Sequence, residues 1–418
     1  MNNLFIIIHY SETTIQPTIA IMKSHHSPPS ALGVTLVSLL ALVSAMGVGR
    51  FAFTPLFPLM QAQGGLSLSQ GAWLASANYI GYLLGALACS MAPPPPRSAV
   101  RGGLVAVALS TLAMGLTDLS AAWLALRFAA GVASACVLVG VSAWALPALG
   151  ALGRSAWAGW VFCGVGVGIG LAGLAGLIVG IGGYPPAQAW LALGAISAVV
   201  AVIAWRSMGK GEPPGVSALK PSGRLGAGQW RLVFCYATLG FGYIIPATFL
   251  PAMARGVIND PAVFGWIWPA FGATAAASTV LVALCFRRVS ARNIWAPSHL
   301  VMATGVLAPV LKPGVWTLLV AAVCVGGTFM VTTMAGMQEA RRLAGARAPQ
   351  LMAAMTAAFA LGQLGGALLV GLAAQRGVQD LTGASLLAAA LLVLGAWFLR
   401  LPEPVIAPPK PENERDPT

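Results

Sequence analysis

Residues Gly47-Val48-Gly49-Arg50-Phe51-Ala52-Phe53-Thr54-Pro55-Leu56-Phe57-Pro58-Leu59-Met60 place a charge midway along the apolar run 31–60. A charged side chain facing lipid at the middle of a bilayer costs roughly 2.5–3.5 kcal/mol, so Arg50 is expected to face a protein interior or a water-filled cavity. At an offset of 193 residues a similar string follows: Gly240-Phe241-Gly242-Tyr243-Ile244-Ile245-Pro246-Ala247-Thr248-Phe249-Leu250-Pro251-Ala252-Met253. Gly47 aligns with Gly240, Gly49 with Gly242, Pro58 with Pro251, Met60 with Met253 and, further on, Trp73 with Trp266. The pattern indicates two similar halves related by an axis along the membrane normal.

The remainder of the chain supports a membrane setting. Of 418 residues, 58% are hydrophobic and only 8% charged, against about 25% charged in a soluble globular protein. This excludes a soluble enzyme. The apolar runs are long and do not alternate, and a helix needs about 20 such residues to cross the hydrocarbon core, so helices are expected over strands. Twelve spans are predicted, near 32–60, 71–92, 102–117, 121–148, 157–180, 187–205, 232–253, 262–286, 294–310, 315–338, 350–374 and 381–399. A polar stretch separates the sixth from the seventh. The expected fold class is an all-α membrane protein with twelve transmembrane helices in two six-helix bundles. The expected organisation is a disordered cytoplasmic tail (1–30), an N-terminal bundle (31–206), a cytoplasmic linker (207–229), a C-terminal bundle (230–400) and a second cytoplasmic tail (401–418).

Basic residues test that count. Eighteen of the 23 Lys and Arg fall on one predicted face, only Arg255, Lys312 and Arg376 on the other, and Arg50 and Arg127 within spans. By the positive-inside rule this puts both termini in the cytoplasm. The net charge of +13 then follows from topology, and no nucleic-acid partner is expected. The partners expected are the lipid bilayer and a small-molecule substrate. Phe5–Ile8 is too short and interrupted for a signal-peptide core, and Met22 offers an alternative start. The six cysteines lie in predicted spans without CxxC spacing and read as small buried hydrophobes. No disulfide, metal site or cofactor is expected, and no Walker loop is present.

The available chemistry is narrow. All ten acids lie in predicted tails, loops or span ends, with none at mid-depth. Cationic cargo normally needs a carboxylate to neutralise it, so polyvalent cations are disfavoured. Two guanidiniums without facing carboxylates favour an anionic or carboxylate-bearing substrate, which the planar fork binds in bidentate fashion. Bonds from these arginines to backbone carbonyls are the structural alternative. The substrate-binding candidates are Arg50, Thr54, Asn78, Tyr82, Arg127, Tyr243, Gln338 and Gln363. Tyr79, Thr248, Trp268, Thr332 and Thr333 are further polar or aromatic positions suited to a cavity lining. For a coupling proton the candidates are Arg127, His299 and Glu339, the last of which has Arg341 and Arg342 within pairing distance along the chain.

On these residues and on two further strings, the chain resembles the major facilitator superfamily, and more narrowly its YbfB/YjiJ-type group of uncharacterised bacterial members. The resemblance rests on Met46–Met60, on the tenth-span string Gly326-Gly327-Thr328-Phe329-Met330-Val331-Thr332-Thr333-Met334-Ala335-Gly336-Met337-Gln338-Glu339-Ala340-Arg341 and on the eleventh-span string from Met352 to Gln363. It covers about 31–400. Arg127-x-x-x-Gly131-x-x-x-Ala135 is similar to the superfamily's Arg-x-x-x-Gly helix motif, which implies a buried arginine linked to proton movement or anion contact. The loop between spans two and three departs from the superfamily's Asp-Arg signature, carrying Pro93–Pro96, Arg97 and Arg101 instead. The glycines of span five lack the antiporter Gly-Pro pair and read as close-packing residues. The resemblance implies a secondary transporter working by alternating access, in the bacterial inner membrane and as a monomer. Organic anion or carboxylate transport is the leading expectation, with efflux of hydrophobic compounds or drugs as the alternative and a non-transporting membrane sensor as a third reading. A membrane enzyme is not expected, because no intramembrane carboxylate pair or Cys–His dyad is present.

Overall fold

The computed structural model describes residues 30–209, 225–258, 260–286, 288–378 and 380–402. Most of both expected tails and of the linker lies outside these residues, as do Met22 and six of the ten acids. Twelve long helices run through the described chain: α1 Ala31–Gln63, α2 Leu68–Met91, α3 Pro96–Met114, α4 Ser120–Ala151, α5 Ala158–Gly182, α6 Pro186–Ser207, α7 Ala227–Val257, α8 Ile267–Cys285, α9 Ala291–Leu311, α10 Val315–Ala344, α11 Ala348–Gln375 and α12 Thr382–Arg400. Eleven of them are long and apolar enough to cross a membrane. α3 is the twelfth, and Arg97 and Arg101 in its first two turns explain its lower apolarity. No described residue is in a β-strand.

Three helices run past their predicted ends for local reasons. α3 begins at Pro96 rather than 102, because a proline at the first helical position loses no hydrogen bond. Its Arg101 donates to the carbonyls of Trp205 (3.0 Å) and Gly209 (2.6 Å) and so caps the end of α6. α7 begins at Ala227, inside the expected linker, where the Gln229 side chain accepts from the Gly226 N–H at 3.2 Å. α10 continues to Ala344 because Glu339 is neutralised by Arg292 (2.5 Å) and Arg342 (2.8 Å).

Within the first half α4 packs on α2 and α3, and α3 on α6; within the second, α9 packs on α10 and α12, and α7 on α11. The halves meet along two seams, α5 with α8 and α2 with α11. Glycines set the first seam. On α5, Gly166 approaches the backbone of Ala276, and Gly173 packs on Pro269, while Gly272 of α8 fits against Gly170. Gly164 and Gly168, on another face of α5, lie on the backbone of α1 at Leu39 and Val43. Small residues here let backbones touch where lipid offers no hydrophobic drive for helix association. This supports the close-packing reading of span five.

The two ends of the molecule differ. The first part of α1 (Ala31–Leu42) packs on helices of its own half, whereas its last part (Phe53–Gly64) packs on α7 of the other. α4 and α10 make no extended contact with the opposite half. α1 and α7 therefore draw the halves together at the end away from the linker, while near the linker the seam of α5 and α8 joins them, with Gly159 lying against Ala283 and Thr279. Gly47 fits directly on Gly168, where an added Cβ collides with backbone, while Gly102 has open space around it. Gly47→Val is expected to cost about 3 kcal/mol, the upper end for overpacking, and Gly102→Ala close to nothing. Thermal unfolding of the detergent-purified protein checks both.

Candidate functional site

The site begins with an irregularity in α1. Val43–Val48 form a π-turn, followed by a single short α-turn, Gly49–Phe51, and by Pro55 and Pro58 within the next seven residues. Wide turns and prolines release backbone carbonyls that must find partners away from water. Here α4 supplies them. Arg127 donates to the carbonyls of Gly49 (3.2 Å) and Arg50 (3.0 Å), and its guanidinium lies 5.1 Å from the Phe53 ring centroid. The Ser134 hydroxyl lies 2.6 Å from the carbonyl of Ala45 and 2.7 Å from that of Ala130. Asn78 of α2 donates to the carbonyl of Arg127 at 2.9 Å, with a longer contact to that of Gly49. A side chain at Gly81 or Gly131 would strike the facing helix, so the Arg127–Gly131 spacing lets α2 and α4 approach closely enough for this bridge. Two of Arg127's donor groups are thus committed to the backbone that carries Arg50.

Arg50 points across the molecule. The residue is 3% exposed. Its guanidinium sits 4.0 Å from the Tyr82 ring centroid, with Phe51 and Tyr79 at 5.4 and 5.8 Å, an attractive arrangement for a cation. One nitrogen donates to the Gln363 side-chain carbonyl and lies 3.4 Å from the Tyr243 hydroxyl. The Gln363 amide nitrogen in turn donates to that hydroxyl. Arg50 Nε is buried without a hydrogen-bond partner. The cluster therefore joins α1 of one half to α7 and α11 of the other. It is closed, with side chains from the opposite half against the guanidinium rather than an open crevice.

No carboxylate is among these partners. The four acids in the described residues lie elsewhere: Asp118, Asp260 and Asp380 are exposed near helix ends, and Glu339 pairs with Arg292 and Arg342. Beside the cluster, the Tyr243 ring stacks nearly parallel to Phe329 (5.5 Å, 6°) and Phe359 (5.4 Å, 10°), and Phe51 meets Phe329 edge-on. On the side away from the linker, Thr54 donates to the carbonyl of Ala247 (2.8 Å), Tyr79 and Thr248 share a hydrogen bond (2.8 Å), and Arg255 donates to the carbonyl of Pro58.

Six of the eight binding candidates, Arg50, Thr54, Asn78, Tyr82, Tyr243 and Gln363, gather around this point, and Arg127 braces it from behind. Gln338 does not join them: it is exposed toward the linker end of α10. His299 is fully buried where α7, α9 and α12 meet; Trp295 donates to its Nε2 at 3.0 Å, so that nitrogen is an acceptor and carries no proton. Glu339 is held in its double ion pair. Neither lies in the Arg50 cluster. Phe329, Phe359 and Arg255 were not legible as site residues, because their partners come from helices far apart in sequence.

A family described as "Uncharacterised MFS-type transporter YbfB" matches residues 42–400. The chain belongs to this family. It is accordingly a transporter of the major facilitator superfamily, and not an enzyme. Comparison with curated protein sequences gives no match. Among solved structures, this MFS-type chain is similar to the D-xylose–proton symporter (14% identity, TM-score 0.68, 88% of this chain and 97% of that one) and to the nucleoside transporter NupG (13%, 0.66, 88% and 98%). It is also similar to a bacterial homologue of the human lysosomal transporter Spinster in an inward-facing, occupied conformation (15%, 0.64, 88% and 95%). At these identities the likeness shows the fold alone.

Arg127→Met is expected to destabilise the transporter by about 1.5–3 kcal/mol for each lost charge-assisted bond, whereas Arg127→Lys retains part of that stability. Equilibrium unfolding in detergent measures the difference.

Proposed function

We propose that this protein is a secondary transporter of a small organic anion, with a carboxylate as the group that Arg50 binds. The observation that carries this reading is a buried guanidinium whose partners are all neutral. A charge withdrawn from water without a counter-charge is costly, and a carboxylate is a fitting complement to its fork. The Tyr243 hydroxyl and the Gln363 amide nitrogen are donors as well. A carboxylate entering between them and Arg50 receives hydrogen bonds from α1, α7 and α11 together, with the Gln363 oxygen displaced from the guanidinium. Such an anion bridges both halves, and this gives it the differential contact that a ligand needs to shift a conformational equilibrium.

In this reading the halves 31–206 and 230–400 rock about the glycine seam of α5 and α8 and the seam of α2 and α11. The distribution of basic residues supports a cytoplasmic linker side, and the reading takes the membrane to be a bacterial inner membrane. The bonds Thr54–Ala247, Tyr79–Thr248 and Arg255–Pro58 then close the outer side. A second reading, efflux of neutral hydrophobic compounds, draws on the aromatic wall of Tyr243, Phe329 and Phe359.

Uptake of a panel of labelled organic acids into proteoliposomes separates the two. Arg50→Gln and Arg50→Lys, each checked for correct folding by thermal unfolding, are expected to lower uptake at least about tenfold, since truncating a buried charged partner typically costs 2 kcal/mol or more. Undiminished acid uptake by both variants overturns the proposal. Transport of neutral apolar compounds alone, indifferent to Arg50, establishes the second reading instead.

A further inference from the structure

We infer that the anion is a flat aromatic monocarboxylate. This rests on the proposed role of Arg50 and adds the shape and charge of the cargo. The charge follows from the arginines. Arg127 spends its two terminal nitrogens on the carbonyls of Gly49 and Arg50, which leaves one guanidinium, that of Arg50, facing the other half. A second carboxylate on the cargo finds no cation of its own in this cluster, and burying it unpaired is costly.

The body of the cargo follows from the walls. Tyr82 lies against the guanidinium on one side. The Tyr243 hydroxyl touches the same guanidinium, and its ring belongs to the parallel stack with Phe329 and Phe359. Aromatic faces and edges pair well with another planar ring through offset or edge-on contacts. Polar groups are few by comparison: the Tyr243 hydroxyl and the Gln363 amide are already needed by the carboxylate, while Thr54, Tyr79 and the amide nitrogen of Asn78 are bonded to Ala247, Thr248 and the carbonyl of Arg127. A polyhydroxylated acid would leave its hydroxyls unsatisfied against these rings, which a site of this composition rejects.

Isothermal titration of the purified full-length transporter with benzoate, cyclohexanecarboxylate, malonate, gluconate and the neutral benzamide tests this. Benzoate is expected to bind at least fivefold more tightly than cyclohexanecarboxylate and at least tenfold more tightly than malonate, gluconate or benzamide. Arg50→Gln should remove the preference for benzoate over benzamide. Phe329→Leu should reduce the preference for benzoate over cyclohexanecarboxylate. Arg50-dependent binding of malonate or gluconate as tight as that of benzoate overturns the inference and leaves the anion-transport reading standing, and so does equal, Arg50-dependent binding of the two ring acids. Absence of Arg50-dependent binding for every acid overturns both.

Discussion

A guanidinium buried between two halves of a membrane protein, with only neutral groups for partners, is the constraint around which this structure is arranged. The charge of Arg50, 3% exposed, is met by no carboxylate among the described residues. It is solvated instead by the face of Tyr82, the amide oxygen of Gln363 and the hydroxyl of Tyr243. Two of those three come from the opposite half. The same interaction therefore stabilises the cation and holds the halves together, and a ligand that offers a better partner to the cation acts on both at once.

Placing that charge requires an unusual helix. α1 widens into a π-turn just before Arg50 and carries two prolines after it, and the carbonyls around the break are collected by Arg127 and Ser134. Asn78 holds the carbonyl of Arg127 itself, across an α2–α4 crossing that Gly81 and Gly131 make narrow. The arginine of the fourth helix thus acts on the first through backbone, fixing where Arg50 starts, while Arg50 reaches outward. Two buried arginines of similar appearance in the sequence divide the work between positioning and reaching.

Much of this architecture was written in the chain. Arg50 at mid-depth marked the centre of the molecule because lipid does not tolerate it, and the unalternating apolar runs could satisfy their backbones only as helices. The offset of 193 between the strings around Gly47 and Gly240 has a direct counterpart in space: Arg50 meets Tyr243, and Thr54 meets the carbonyl of Ala247, each 193 residues away. Positions that correspond in the two halves touch each other only on the axis relating them, so the alignment had located that axis. Other features were out of reach. Whether Arg127 would reach a ligand or a carbonyl depended on the π-turn in α1, which no propensity signals. The stack of Tyr243, Phe329 and Phe359 draws one ring from each of three helices, and hydrophobic pattern cannot tell a ring facing a partner from one facing lipid. Arg255 read as a loop charge until its bond to Pro58 was visible.

An anion on Arg50 is expected to change how the halves sit against each other. Spin labels at Gly150 on α4 and Arg341 on α10, in a background with the native cysteines replaced, report the separation at the linker side by double electron–electron resonance. A saturating aryl carboxylate is expected to shift the distance distribution in the otherwise native protein and to leave it unchanged in the Arg50→Gln variant. A distribution indifferent to the acid in the native protein, or an equal shift in both, would contradict it.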